Sequence, residues 1–225
     1  MPDPRDASPV VQSAFEKAAV DRETFVRVLR VAVQAVERAG IPYLLIGGVA
    51  ESAYGRPLAT LDVDMFVRPD QAEAALHALE EQGFDSQHTA PHWLFKAYRD
   101  RVVIDVIFCS SGDIYLDDDM LARSREVEIE GVRVRLIAPE DLIVLKALAH
   151  SEPTARYWFD ALAVLARSDV DWGYLLHRAR HGLKRILSFL LFAQSLDLPV
   201  PDEIVRKIHW LAARGQSPEE RARAG

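Results

Sequence analysis

The fold is decided by residues 43–67, which read YLLIGGVAESAYGRPLATLDVDMFV. This stretch opens with four apolar residues and a pair of glycines, a pattern typical of a short buried strand that ends in a tight turn. It closes on LDVDMFV, residues 61–67, where apolar and acidic residues alternate as they do in a strand with two different faces. Between them, residues 49–54 are predicted to form a helical turn or a short helix.

Three aspartates stand inside strand patterns that are otherwise apolar. Asp62 and Asp64 are two residues apart, so their side chains point to the same face of the strand. Asp105 lies within VVIDVIF, residues 102–108, where burial as a lone anion would be costly. Taken singly, each aspartate is also compatible with a surface position or a salt bridge. Taken together, neighbouring carboxylates repel one another unless a metal ion holds them ionised, and their hard oxygen atoms select Mg²⁺ or Mn²⁺.

The segments that surround these aspartates mix helices and strands. Apolar spacing predicts a helix at residues 11–38 and another at residues 71–82, with Asp70 as its N-cap. Two hairpins are predicted, the first from residues 93–98 and 102–108, the second from residues 125–129 and 132–137.

The chain changes character at Pro139. Helices are predicted from there onward at residues 139–149, 153–165, 172–180, 183–196 and 201–213. The sequence therefore predicts an α+β protein, with a mixed β-sheet flanked by helices in residues 1–138 and a helical domain in residues 139–225.

Composition limits the class of protein. The formal net charge is −7, which argues against a general nucleic-acid binder, because affinity for phosphate comes from clustered Lys and Arg. The single cysteine, Cys109, allows no disulfide within the chain. We find no signal-peptide pattern at the N-terminus and no apolar stretch long enough to span a bilayer, so a cytoplasmic protein is expected.

The glycine pair and the acidic pair together resemble a known signature. The order LLIGG, thirteen residues and then DVD is similar to the signature of the polymerase-β-type nucleotidyltransferase superfamily. Asp105 falls where that family places its third carboxylate. Arg56 and Thr60 precede the acidic pair as they do in small prokaryotic members. The resemblance covers residues 41–108, and it implies the nucleotidyltransferase fold and transfer of a nucleoside monophosphate from a nucleoside triphosphate such as ATP.

A weaker resemblance continues into the helical part. Residues 139–165, PEDLIVLKALAHSEPTARYWFDALAVL, look like the helical stretch of the abortive-infection nucleotidyltransferase toxins of type IV toxin–antitoxin systems, in which a helix Lys binds the nucleotide and a basic-x-x-x-Asp pattern follows. Lys146 matches the first feature, and Arg156 with Asp160 matches the second. Two positions depart from the toxins, since Gly48 stands where Ser is common and Arg156 stands where Lys is usual. Lys146 could equally be a solvated helix residue, and Arg156 and Asp160 an ordinary surface pair.

The resemblance implies a role for each matching residue. Asp62 and Asp64 would hold both metal ions, and Asp105 would hold the acceptor-side ion and act as general base. The residues implied to bind the nucleotide are Gly47, Gly48, Arg56, Thr60, Lys146 and Asp160.

The acceptor is left open among a tRNA, a protein and a small molecule, and a cognate protein partner is a further expectation. A non-catalytic relative that serves as a binding or antitoxin-like module is the alternative. The basic residues Arg178, Arg180, Lys184 and Arg185 form either a solvated helix face or a surface for a phosphate-rich acceptor.

Overall fold

The computed structural model describes residues 20–55, 62–151 and 154–214. Arg56 and Thr60 lie outside these ranges, and so does the beginning of the helix predicted at residues 11–38. The chain forms two compact units. The described residues of the first unit are 20–53, 62–109 and 115–137, and those of the second are 54–55, 110–114, 138–151 and 154–214.

A mixed sheet of seven described strands forms the first unit. The strands are β1 (Tyr43–Ile46), β2 (Asp62–Val67), β3 (Asp85–Ala90), β4 (Leu94–Arg99), β5 (Val102–Ile107), β6 (Arg125–Ile129) and β7 (Val132–Leu136). Their order across the sheet is β3-β4-β5-β2-β1-β7-β6. β2 runs antiparallel to β1 and parallel to β5, while β1 runs parallel to β7. The predicted α+β class with a mixed sheet is confirmed.

Helices cover one face of this sheet. The helices of the first unit are α1 (Arg22–Arg38), α2 (Gly47–Ala53), α3 (Ala72–Glu80) and α4 (Asp118–Ala122). α1 and α3 pack against each other and against β5. In β5 the buried residues Val102, Ile104 and Val106 alternate with partly exposed ones, as expected for a strand with one covered face. Asp105 is one of the partly exposed residues and therefore points away from these helices.

Two details of the first unit differ from the sequence-based expectation. β3 reads DSQHTA and is exposed along almost its whole length. It therefore lacks the apolar alternation from which a strand is predicted. It is a strand because its backbone pairs with β4. Asp70 is not a helix N-cap, since it lies in a 3₁₀ turn at Pro69–Gln71, and α3 begins after Gln71 without a side-chain cap.

Helices make up the second unit from Pro139 onward. They are α5 (Pro139–Ala149), α6 (Arg156–Arg167), α7 (Trp172–Arg178), α8 (Leu183–Ser195) and α9 (Asp202–Arg214). α5 is the central helix, since it packs against α6, α7 and α8. Its residues are buried nearly all the way round, which is typical of a helix at the middle of a core. None of the described helices is long and apolar enough to cross a membrane.

Buried acidic residues at the start of α5 tie these helices together. Glu140 Oε1 accepts a hydrogen bond of 2.7 Å from the backbone N–H of Asp171. Asp141 Oδ1 lies 2.6 Å from Nε of Arg178, and both side chains are fully buried. Tyr174 donates a hydrogen bond of 2.8 Å to Asp141 Oδ2. Arg178 is therefore an internal residue, and the suggestion that it belongs to an exposed basic face is wrong.

Candidate active site

A row of polar side chains crosses four neighbouring strands on the partly exposed face of the sheet. Asp64 on β2 pairs with Asp105 on β5, which pairs with Lys96 on β4. Lys96 in turn pairs with Gln87 on β3. Directly paired residues point to the same face, with Cβ atoms about 5 Å apart. Asp62 lies two residues before Asp64 and shares this face. The structure thus places the three predicted aspartates on one face of the sheet, and we call Asp62, Asp64 and Asp105 the carboxylate face.

Gly47 lies directly against this face. It follows β1, whose last residue, Ile46, pairs with Asp64. Gly47 has a φ of +59°, and a Cβ atom built on it would lie 1.9 Å from Oδ2 of Asp64. A side chain at this position would therefore both strain the backbone and displace the carboxylate. Gly47 and Gly48 are the first residues of α2, and both are partly exposed.

Lys96 is a charged neighbour of Asp105 that the sequence reading did not single out. Its Nζ donates a hydrogen bond of 2.5 Å to Oδ1 of Asp105. Burial lowers the pKa of Lys96, but the hydrogen bond and the negative charge of Asp105 outweigh it, and Asp62 adds to them, so the pKa is raised overall. The ammonium therefore stays protonated, and it neutralises part of the charge of the carboxylate face.

The donor atoms of the carboxylate face suit a hard divalent cation. Carboxylate oxygens on paired strands are ligands that Mg²⁺ and Mn²⁺ accept, and the contact with Lys96 demonstrates that a positive charge fits against Asp105. Within the part of the chain that the structure describes, no three acidic, His or Cys side chains are gathered closely enough to hold a metal ion as they stand. In this arrangement the cation at Asp105 is the ammonium of Lys96.

Lys146 and Asp160 form a pair inside the second unit. Lys146 Nζ donates a hydrogen bond of 3.4 Å to Oδ2 of Asp160, and only 11% and 7% of the two side chains are exposed. The ammonium also lies 4.5 Å from the centre of the Tyr157 ring, a distance typical of a cation–π contact. Lys146 is therefore not a solvated residue, and Asp160 is not part of a surface pair. Their role in nucleotide binding stays a prediction.

Similarity to known proteins was established at the level of family and fold. The family model described as "Nucleotidyl transferase of unknown function (DUF2204)" matches residues 25–179. No curated protein matches the chain significantly. The crystal structure of ANT(2")-Ia in complex with adenylyl-2"-tobramycin superimposes with a TM-score of 0.52 at 15% identity, covering 70% of this chain and 97% of that one.

Two further structures resemble the chain less closely. The lincosamide antibiotic adenylyltransferase LnuA, with lincomycin bound, has a TM-score of 0.45 at 17% identity and covers 66% of this chain and 99% of its own. An antigenic nucleotidyltransferase-like protein from Paracoccidioides brasiliensis has a TM-score of 0.48 at 14% identity, with coverages of 83% and 98%.

Proposed function

The chain belongs to this nucleotidyltransferase family, and from that premise we propose that it transfers a nucleoside monophosphate at the carboxylate face, with Mg²⁺ or Mn²⁺ as cofactor. The observation that carries the proposal is the direct pairing of Asp64 with Asp105, with Gly47 closing on the carboxylate of Asp64. Membership of a nucleotidyltransferase family supports an enzyme over a non-catalytic binding or antitoxin-like module.

The reaction is a displacement at phosphorus. The bond from an acceptor oxygen to the α-phosphorus forms, and the bond from that phosphorus to the bridging oxygen of the leaving pyrophosphate breaks. Asp105 takes the proton of the acceptor hydroxyl, a role that requires it to be ionised and within hydrogen-bond reach. Asp62, Asp64 and Asp105 would hold the metal. When bound, the metal stabilises the negative charge that develops on the phosphoryl oxygens.

The nucleotide is expected to bind alongside the glycine pair. Gly47 and Gly48 leave the backbone open to close approach by phosphate oxygens. We also propose that the nucleotide is bound by Arg56, Thr60, Lys146 and Asp160. This part of the proposal rests on the family resemblance alone.

The identity of the acceptor is proposed at the level of class. The structure of ANT(2")-Ia contains an adenylylated antibiotic, which supports a small-molecule hydroxyl as the acceptor. The other proposal is that the acceptor is a tRNA or a protein and that the chain belongs to a cytoplasmic toxin–antitoxin pair.

Transfer of label from each α-³²P nucleoside triphosphate, with and without Mg²⁺, tests the function and separates the acceptor classes. The purified protein is incubated with a cell extract, and the labelled product is then treated with ribonuclease or protease. Label lost to ribonuclease identifies an RNA, label lost to protease identifies a protein, and label that resists both and passes a small-pore filter identifies a small molecule.

The matched variant is Asp64→Asn, with Asp70→Asn, at an exposed residue, as its control. We expect Asp64→Asn to lower transfer by more than about 100-fold, because the lost charge stabilisation amounts to several kcal/mol. The melting temperature should stay the same or rise slightly, since one of the repelling carboxylates is gone. Full Mg²⁺-dependent transfer by Asp64→Asn would overturn the proposal.

A further inference from the structure

Lys96 and Asp105 form a partly shielded ion pair at the centre of the carboxylate face. They are direct partners in the antiparallel pairing of β4 and β5, and the ammonium and the carboxylate oxygen lie 2.5 Å apart. The exposed fractions of the two side chains are 25% and 16%. A charge-assisted hydrogen bond of this length, partly removed from water, holds the Asp105 carboxylate in one orientation.

A divalent ion held by Asp105 would meet this ion pair, because the ammonium already occupies one of the two oxygen atoms of the carboxylate. A Mg²⁺ ion lies about 2.1 Å from its ligand oxygens and demands a near-octahedral set of them. An ammonium in contact with Oδ1 of Asp105 would repel a divalent ion held by the same carboxylate. The Lys96 side chain has a long flexible stem and is in contact with solvent, so it can leave without any change in the core of the sheet.

We propose that Lys96 is a positioning residue that holds Asp105 in the metal-free protein and is displaced from it by the divalent ion. The inference rests on the proposed function. The ion pair has two consequences. It lowers the repulsion between Asp105 and Asp64 in the metal-free protein. It also weakens metal binding, because the pair must be separated before the ion binds.

The inference is tested by isothermal titration calorimetry. Mn²⁺ alone is titrated into the full chain in the absence of nucleotide. The test variant is Lys96→Met, which keeps an unbranched, flexible side chain of similar bulk and removes its charge. We expect Lys96→Met to bind Mn²⁺ at least tenfold more tightly than the wild type. The control is Lys207→Met, the same change at an exposed lysine of α9, which should leave the affinity unchanged.

A second pair of proteins shows whether the effect passes through Asp105. In an Asp105→Asn background the ion pair no longer exists, so Lys96→Met should give a much smaller gain in affinity than in the wild-type background. A simple change in the net charge of the protein would give the same gain in both backgrounds and in Lys207→Met. Lys96→Arg keeps a cation at this position and should show no gain. Lys96→Gln serves as the uncharged variant if Lys96→Met does not fold.

The outcomes separate this inference from the proposed function. Equal or weaker Mn²⁺ binding by the uncharged variant, with transfer activity intact in the wild type, overturns the role of Lys96 and leaves the proposed function standing. Absence of Mn²⁺ binding in both the wild type and the variant overturns the inference, and the transfer assay with and without Mg²⁺ decides the proposed function separately.

Discussion

At Gly47 the backbone has a φ of +59°, and the carboxylate of Asp64 lies directly against its α-carbon. Gly40 offers a matched comparison, because its φ is +68° and nothing lies within 4 Å of a Cβ atom built there. Both positions carry the cost of a left-handed backbone, about 1–2 kcal/mol for a residue with a Cβ. Gly47→Ala adds a steric conflict with a carboxylate of the proposed site.

We therefore predict that Gly47→Ala abolishes nucleotide transfer, whereas Gly40→Ala lowers stability only by the backbone term. Gly47→Ala should also unfold at a lower denaturant concentration than Gly40→Ala, since Asp64 must move. Urea denaturation and the labelled-nucleotide assay on the two variants check this. Equal activities in the two variants would show that the contact between Gly47 and Asp64 has no part in the site.

Lys96 illustrates which residues of the site the sequence indicates and which it does not. The carboxylates could be found because an acidic residue in an apolar strand is conspicuous. The lysine in LFKAYR, residues 94–99, is less so, because Lys often ends at the surface with its stem buried. Its contact with Asp105 can be inferred only when the register of the hairpin is known.

That register is set by the turn between β4 and β5. Arg99 pairs with Val102, which leaves Asp100 and Arg101 as a two-residue turn. Both have positive φ, of 50° and 67°, as in the type I′ turn that matches the twist of a hairpin. A two-residue turn at this point fixes the partner of Asp105 as Lys96. The contact was therefore within reach of the sequence, although Asp-Arg is a weaker turn signal than Asn-Gly.

Strands and helices were predictable where burial shaped the sequence. β1, β7 and the helix α5 could be predicted because their apolar residues follow the period of a strand or of a buried core. β6 has no buried residue, but its Val127 and Ile129 alternate with polar residues and the Glu130-Gly131 turn follows it. β3 is likewise an edge strand, and it could not be predicted because DSQHTA has no apolar alternation and is held by backbone pairing with β4. The buried pair of Asp141 and Arg178 was hidden for a related reason. A charged residue on a helix reads as exposed unless its partner is known.

The ion pair between Lys146 on α5 and Asp160 on α6 changes the expected effect of a mutation at Lys146. Removal of its charge leaves the carboxylate of Asp160, which is 5% exposed, without the ammonium that now contacts it. Breaking a buried ion pair costs about 3 kcal/mol. Lys146→Ala should therefore lower the melting temperature whether or not Lys146 binds nucleotide, and a loss of activity alone would not identify its role.

We predict that Lys146→Met, in a double-mutant cycle with Asp160→Leu, separates the two roles. The melting temperature should fall in each single variant and recover in the double variant, because two apolar groups replace a buried pair. If Lys146 binds the triphosphate, the double variant should still bind nucleotide more weakly than the wild type. Nucleotide affinity that recovers together with stability would withdraw Lys146 and Asp160 from the site.

At the scale of the whole molecule, charge decides when a nucleotide can bind. The chain carries a formal net charge of −7, and three of its carboxylates share one face of the sheet. A triphosphate that approaches this face is repelled unless a cation lies between them, and Lys96 supplies only one positive charge. Nucleotide binding should therefore depend on a divalent metal that is already held by the carboxylates.

We predict that a nucleoside triphosphate raises the melting temperature of the full chain when Mg²⁺ or Mn²⁺ is also present, and that the nucleotide has little effect without the metal. A ligand that binds only the folded state stabilises it by about 2.7 kcal/mol at a hundredfold excess over its dissociation constant. For a chain of this length that is a shift of roughly 5 to 10 °C. Thermal unfolding with ATP, CTP, GTP and UTP in turn, with metal and with a chelator, measures this shift and shows which base is preferred.

Asp64→Asn should lose the shift in melting temperature, while Asp70→Asn should keep it. A shift of the same size in chelator, or no shift with any of the four nucleotides, would contradict metal-dependent nucleotide binding at the carboxylate face.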